Sequence, residues 1–191
     1  GAPGQVLVVR GDVVLSEGAR IQTEPGGSLT LRGSTVTVLG SLIAPGGRIT
    51  ISGANSFPQT KFLEELASNA LATVFIGPQA RLSAAGAAVY LPDSFGRRIG
   101  RLYDGGSITV SGNIVAEAGA LLDVSGTSAI FDFHPSALAL ADRTKVPANS
   151  GLNSRPYVLR TVPYRVDSNG GTIALAGGQF LYSDATLLGR A

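Results

Sequence analysis

The octad Gly26–Gly33 reads GGSLTLRG, and the chain returns to it three times: GGRITISG at Gly46–Gly53, GGSITVSG at Gly105–Gly112 and GGTIALAG at Gly170–Gly177. The common form is Gly-Gly-x-apolar-x-apolar-x-Gly, with Thr or Ala between the two apolar residues. Paired glycines supply backbone angles that other residues resist, so the octad opens on a turn. Leu29/Leu31, Ile49/Ile51, Ile108/Val110 and Ile173/Leu175 stand two residues apart, which puts each pair on one face of a strand. A unit that recurs in this way buries its apolar face against its own copies.

The rhythm continues outward from the octads. Val6, Val13, Ile21, Leu29, Val36, Leu42 and Ile49 follow one another at steps of 6 to 8 residues. Ile108, Ile114 and Leu122 keep that step, as do Ile173, Phe180 and Leu187. Three steps make about 20 residues, the separation of the first two octads. A companion pattern of small residues and a short alternating strand occurs as EGARIQT from Glu17, GPQARLSAAG from Gly77 and EAGALLDVSG from Glu117, and marks another side of the same coil. Short strands at this spacing also occur in sandwiches and meanders, but those turn every 8 to 12 residues and do not repeat one octad. The pattern therefore predicts an all-β chain, a parallel β-helix with three short strands per coil, forming one domain over residues 1–191. Six to eight rungs at strand spacing would make it roughly 30 to 40 Å long.

Three stretches break the rhythm. Residues 57–75 hold an expected helix over Lys61–Thr73, where Phe62, Leu63, Leu66, Ala70 and Leu71 recur at helical spacing behind a Thr60 cap. Residues 87–104 form an expected loop rich in arginine and aromatics. Residues 132–163 form an expected long loop with four prolines. Insertions projecting from one face of a solenoid often make its binding surface.

Composition narrows the chemistry. Of 191 residues, 26 are Gly and 10 are Pro, while Cys, Met and Trp are absent. Without Cys there is no disulfide framework, thiolate metal site or cysteine nucleophile. The net charge of +2 is too small for an electrostatic nucleic-acid footprint. No run of about 18 apolar residues reads as a bilayer-spanning helix. A chain that opens on Gly1 and holds no Met reads as a fragment of a longer protein.

No constellation points firmly to catalysis, a metal or a cofactor. Asp132, His134 and Ser136 would share a face in a strand, but Pro135 disturbs it. The candidate ligand residues are Tyr90, Arg97, Arg98, Arg101 and Tyr103, because arginine beside aromatics suits an anionic sugar or phosphate. An alternative reading is a polysaccharide lyase or hydrolase in which Arg97, Arg98 and Arg101 hold a uronate and Asp104 or Asp123 acts as acid or base. A third is a pure glycan- or protein-binding module.

At the octads and at the GALLDVSG and GPQARLSAAG segments, the sequence resembles the passenger repeats of the filamentous haemagglutinin family, large bacterial exoproteins of the two-partner route. The resemblance covers roughly half the chain and implies a right-handed β-helix, here an internal repeat segment. It further implies a secreted or cell-surface location, a structural or adhesive and non-enzymatic role, and an outer-membrane secretion partner for the full-length parent. A host-surface or glycan ligand fits that picture, with neither nucleic acid nor membrane insertion. A solenoid's end rungs carry unpaired strand edges, so end-to-end self-association is expected, with the apolar Gln5–Val9 near one end.

Overall fold

The computed structural model describes residues 11–53, 73–134 and 161–191. Within them every element is a strand: β1 (Asp12–Leu15), β2 (Arg20–Gln22), β3 (Ser28–Gly33), β4 (Thr35–Val38), β5 (Ser41–Ile43), β6 (Arg48–Gly53), β7 (Thr73–Ile76), β8 (Arg81–Ser83), β9 (Ala87–Leu91), β10 (Ile99–Tyr103), β11 (Ser107–Ala116), β12 (Leu121–Asp123), β13 (Ser128–Phe133), β14 (Val162–Asp167), β15 (Thr172–Ser183) and β16 (Thr186–Leu188). The fold is all-β and its main sheets are parallel.

Parallel pairing sorts the strands into three columns. Column I stacks β1, β4, β7 and the second halves of β11 and β15. Column II stacks β2, β5, β8, β12 and β16. Column III stacks β3, β6 and the first halves of β11 and β15. The chain visits I, II and III in that order and then returns to I. β11 and β15 are long because each runs through the corner from III into I; in β11 the bend falls at Gly112, whose φ is 126°.

Register places like on like. Column I aligns Val13, Val36, Val74, Ile114 and Leu181. Column II aligns Ile21, Leu42, Leu82, Leu122 and Leu187. Column III aligns Leu29, Ile49, Ile108 and Ile173, and beside them Leu31, Ile51, Val110 and Leu175. These rows converge on a single core in which Val36, Leu42, Ile49, Ile51, Val74, Leu82, Ile108, Ile114 and Leu122 are fully buried. Burial of such side chains is worth about 1.5–3 kcal/mol each relative to exposure, so the aliphatic rows are the main source of cohesion. The companion segments fall in column II, another side of the same stack, as the pattern predicts.

The double glycines work at the corner between columns II and III. In the first two passes, Glu24-Pro25-Gly26-Gly27 and Ala44-Pro45-Gly46-Gly47 are turns closed by Gly27 N–H to Glu24 O and Gly47 N–H to Ala44 O, both at 2.9 Å. Proline at the second position and glycine at positive φ (Gly26 80°, Gly46 58°) at the third define a type II turn. The second glycine of each pair has a different duty. A Cβ on Gly47 would be driven into the Gly27 carbonyl, on Gly106 into the Gly47 carbonyl, and on Gly171 into the Gly106 carbonyl.

In the third and fourth passes the same closing bond is made across an insertion. Gly106 N–H reaches Ala84 O and Gly171 N–H reaches Val124 O, each at 2.7 Å. The intervening residues leave the stack as antiparallel pairs, β9 with β10 and β13 with β14. Residues 87–103, expected as loop, are therefore largely a hairpin. The excursion expected over 132–163 has its stem further back, at β13, and returns along β14.

Other expectations change in detail. The helix over Lys61–Thr73 lies outside the described residues except for Thr73, which opens β7; Thr73–Phe75 thus belong to column I and not to the insertion 57–75. Val6, Gln5–Val9 and Ser136 also lie outside them. Leu181, not Phe180, takes the inward position in β15. There, three residues (Gly178–Phe180) stand opposite Asn113 alone. The buried Asn113 side chain holds this bulge, its Oδ1 accepting N–H from Gln179 at 2.7 Å and from Phe180 at 3.3 Å. Among the described residues, columns I and II contain five levels, not six to eight, about 20 Å of stack.

The glycine ladder yields a direct test. Gly106→Ala forces a methyl group into backbone and should cost about 1–3 kcal/mol, as overpacking does. Gly11→Ala, with nothing within 4 Å of the new Cβ, should be near neutral. Thermal unfolding followed by circular dichroism distinguishes the two; equal midpoints would contradict the ladder.

Candidate functional site

Both hairpins leave from the same corner at successive levels, and they pack on one another. The join is made by Arg98 and Asp132. The Asp132 carboxylate accepts the Arg98 backbone N–H at 2.7 Å and the guanidinium at 2.8 and 3.3 Å, while Asp132 N–H donates to Arg98 O at 2.8 Å. Beside this clasp runs a row of rings: Tyr90 and Phe131 have centroids 5.4 Å apart, Phe131 and Phe133 6.4 Å, and Phe133 and Tyr164 6.2 Å. Their tilted and edge-on geometry is the arrangement that ring quadrupoles favour.

Arg97 turns the other way, onto the tip of its own hairpin. Asp93 accepts the Arg97 guanidinium at 2.8 and 3.0 Å, and also the backbone N–H of Phe95 and Arg97, each at 3.0 Å. The Arg97 guanidinium also lies 5.1 Å from the ring centre of the exposed Phe95. Asp93 thus shapes the turn and neutralises the arginine beside it.

These bonds move the acid equilibria. The guanidinium of Arg97, with its backbone N–H, holds the Asp93 carboxyl far below the usual carboxylate range. Arg98 lowers Asp132 through the same two kinds of donor. Both arginines are held more firmly protonated by their carboxylate partners.

The five sequence-predicted ligand residues therefore separate. Tyr90 is half exposed at the head of the ring row. Arg97 and Arg98 are each spent on an acid. Arg101 lies with its guanidinium 4.8 Å above the Tyr103 ring. Tyr103 lies over the type II corners, 3.1 Å from where a Cβ on Gly26 would be. Asp104 Oδ1 accepts the Asn169 N–H at 2.8 Å, and Asp123 Oδ1 accepts the Ser125 N–H at 2.9 Å. His134 is exposed, and the Asp132 carboxylate is turned to Arg98. No group of three or more His, Cys, Asp or Glu able to hold a metal occurs among the described residues.

Sequence reading missed the partners Asp93 and Asp132. The i,i+4 spacing of Asp93 and Arg97 was a legible signal; the 34-residue separation of Arg98 and Asp132 was not. No family model, curated protein or solved structure matches the chain.

The clasp makes a pH prediction. A carboxyl held below its unfolded value, about 3.9 for Asp, stabilises the fold fully above that value. This contribution fades as pH falls through the lower native one. The Arg98 amide resonance, which reports on Asp132, should titrate with a midpoint below about 3.9, and Arg98→Ala, which removes the guanidinium but keeps the backbone N–H, should raise that midpoint toward the ordinary range. A wild-type midpoint at or above the ordinary value would contradict the pairing.

Proposed function

We propose that this chain is a length of right-handed parallel β-helix from a secreted or cell-surface bacterial exoprotein of the filamentous haemagglutinin kind, a non-enzymatic scaffold that displays its insertions for binding. The observation that carries this reading is the division of labour along the chain. The repeats build the in-register aliphatic columns, and both described hairpins leave from one corner without disturbing them.

The acids support a structural role. Asp93 and Asp132 hold arginines, and Asp104 and Asp123 hold backbone amides. Asp93 and Asp132, engaged by arginines, favour their charged form and give up or take a proton poorly near neutral pH. In this reading the full-length parent leaves the cell through an outer-membrane secretion partner. Stiffness comes from stacked levels, each contacting its neighbours alone, as in other solenoids. The half-exposed Leu181 and Leu187 terminate rows whose middle members are fully buried, and Ile21 is exposed at the opposite end of one row, which favours end-to-end association with a second copy.

Two measurements test the reading. Antibodies against this segment should label intact bacteria carrying the parent gene, and labelling should vanish when the secretion partner is deleted. Incubation with neutral and acidic polysaccharides should release no new reducing ends and no unsaturated uronates. Label confined to the cell interior, or turnover of any polymer, would overturn it.

A further inference from the structure

The outer face of column III holds an open groove of about 660 Å³. Its floor is the ladder of paired glycines, and Ser28, Thr30, Arg32, Arg48, Thr50 and Ser107 supply the side chains. The lining thus contains two arginines, a set of hydroxyls and no carboxylate. Arg32 and Arg48 are exposed and form no ion pair among the described residues, unlike Arg97 and Arg98. Arg48 stands opposite Ser28, and Arg32 opposite Ser52 on the adjacent strand. Their Cα atoms are four residues apart along the strands and one strand apart across them, a separation of roughly 14 Å from the spacings of a sheet.

The first hairpin approaches one end of the groove, at its glycines Gly26 and Gly46. Tyr103 lies over the corner at Gly26 and Gly46 and carries Arg101 on its ring, so a third cation stands at that end. One face of the Tyr103 ring is covered by Arg101, and the ring abuts Gly26. The face under Arg101 is closed to a nucleobase, and the groove lining itself holds no aromatic ring of the kind on which single-stranded nucleic acids stack. What remains is a shallow track of hydroxyl donors and acceptors with guanidinium groups spaced along it. That is the complement of a polyhydroxylated chain bearing carboxylates or sulfates.

We propose that this groove, on the outer face of β3, β6 and the first half of β11, binds an acidic polysaccharide laid along the strands, with Arg32 and Arg48 holding its anionic groups. The site needs column III alone and is independent of the scaffold reading and of the parent protein's location.

The test is binding of the whole chain to polygalacturonate, to heparin and to neutral dextran, by calorimetry at low and at physiological salt. The carboxylate and sulfate polymers separate the two sources of negative charge. We expect binding to at least one acidic polymer, weakened by salt, and no binding to dextran. The Arg32→Ala/Arg48→Ala variant should bind at least about tenfold more weakly, since each lost contact is to a charged group. Both residues are exposed, so its circular dichroism should match the parent chain. Arg165→Ala, outside the groove and paired with Asp167 at 2.7 Å, should bind as the parent does. Absence of binding to both acidic polymers, equal binding to dextran, tighter binding to a single-stranded oligonucleotide, or undiminished binding by the double variant would overturn the proposal.

Discussion

The structure depends on how closely one level can approach the next at the corner between columns II and III. The carbonyl of Gly27 accepts the N–H of Arg48, that of Gly47 accepts the N–H of Ser107, and that of Gly106 accepts the N–H of Thr172, at 2.9 to 3.0 Å. Each of these oxygens also occupies the space that a side chain on the glycine of the next level would need. A single atom therefore sets the hydrogen-bond register and excludes every residue but glycine. With that register imposed, the aliphatic rows align without further specification, and a slip by one residue would expose all of them.

Tolerance follows from the same closure. Since the corner is sealed by a bond between its two ends, the length of chain between them matters little to the columns. Loop-closure entropy grows slowly with length, and the hairpins offset part of it with their own pairing. What keeps the two hairpins from swinging independently is the Arg98–Asp132 clasp together with the ring row. Charge that the sequence displays as a basic loop is thereby largely neutralised, and unpaired cations lie on the wall of the stack.

Much of this architecture was legible in the sequence, and the reasons are physical. The octad is legible because steric exclusion at the second glycine leaves one residue type, and because burial leaves only aliphatic residues at the two inward positions. Column II was legible through Ile21, Leu82 and Leu122 in their small-residue surroundings. Phe180 was misassigned because the step of seven from Ile173 ignores a three-residue bulge held by Asn113, a tertiary contact with no local signature. The hairpin at Ala87–Tyr103 was read as loop because its two strands pair with each other and not with the columns, so they fall outside the rhythm that marks the stack. Of the candidate ligand residues, Arg97 and Arg98 looked available since pairing across the fold is invisible to spacing. Arg32 and Arg48 were overlooked inside the repeat, at positions whose outward direction the period of two already implied.

The corner also says something about how such a chain can be altered. Its first two levels are closed by Pro25-Gly26 and Pro45-Gly46, and its next two by residues 85–105 and 125–170. The same junction thus serves as a socket, with the dipeptide as a blank plug and the hairpins as fitted modules. Replacing a plug with a foreign hairpin would place new side chains above or beside Tyr90 at a chosen level, at intervals of one strand spacing. The stack is, in that sense, a rack whose positions are addressable one by one.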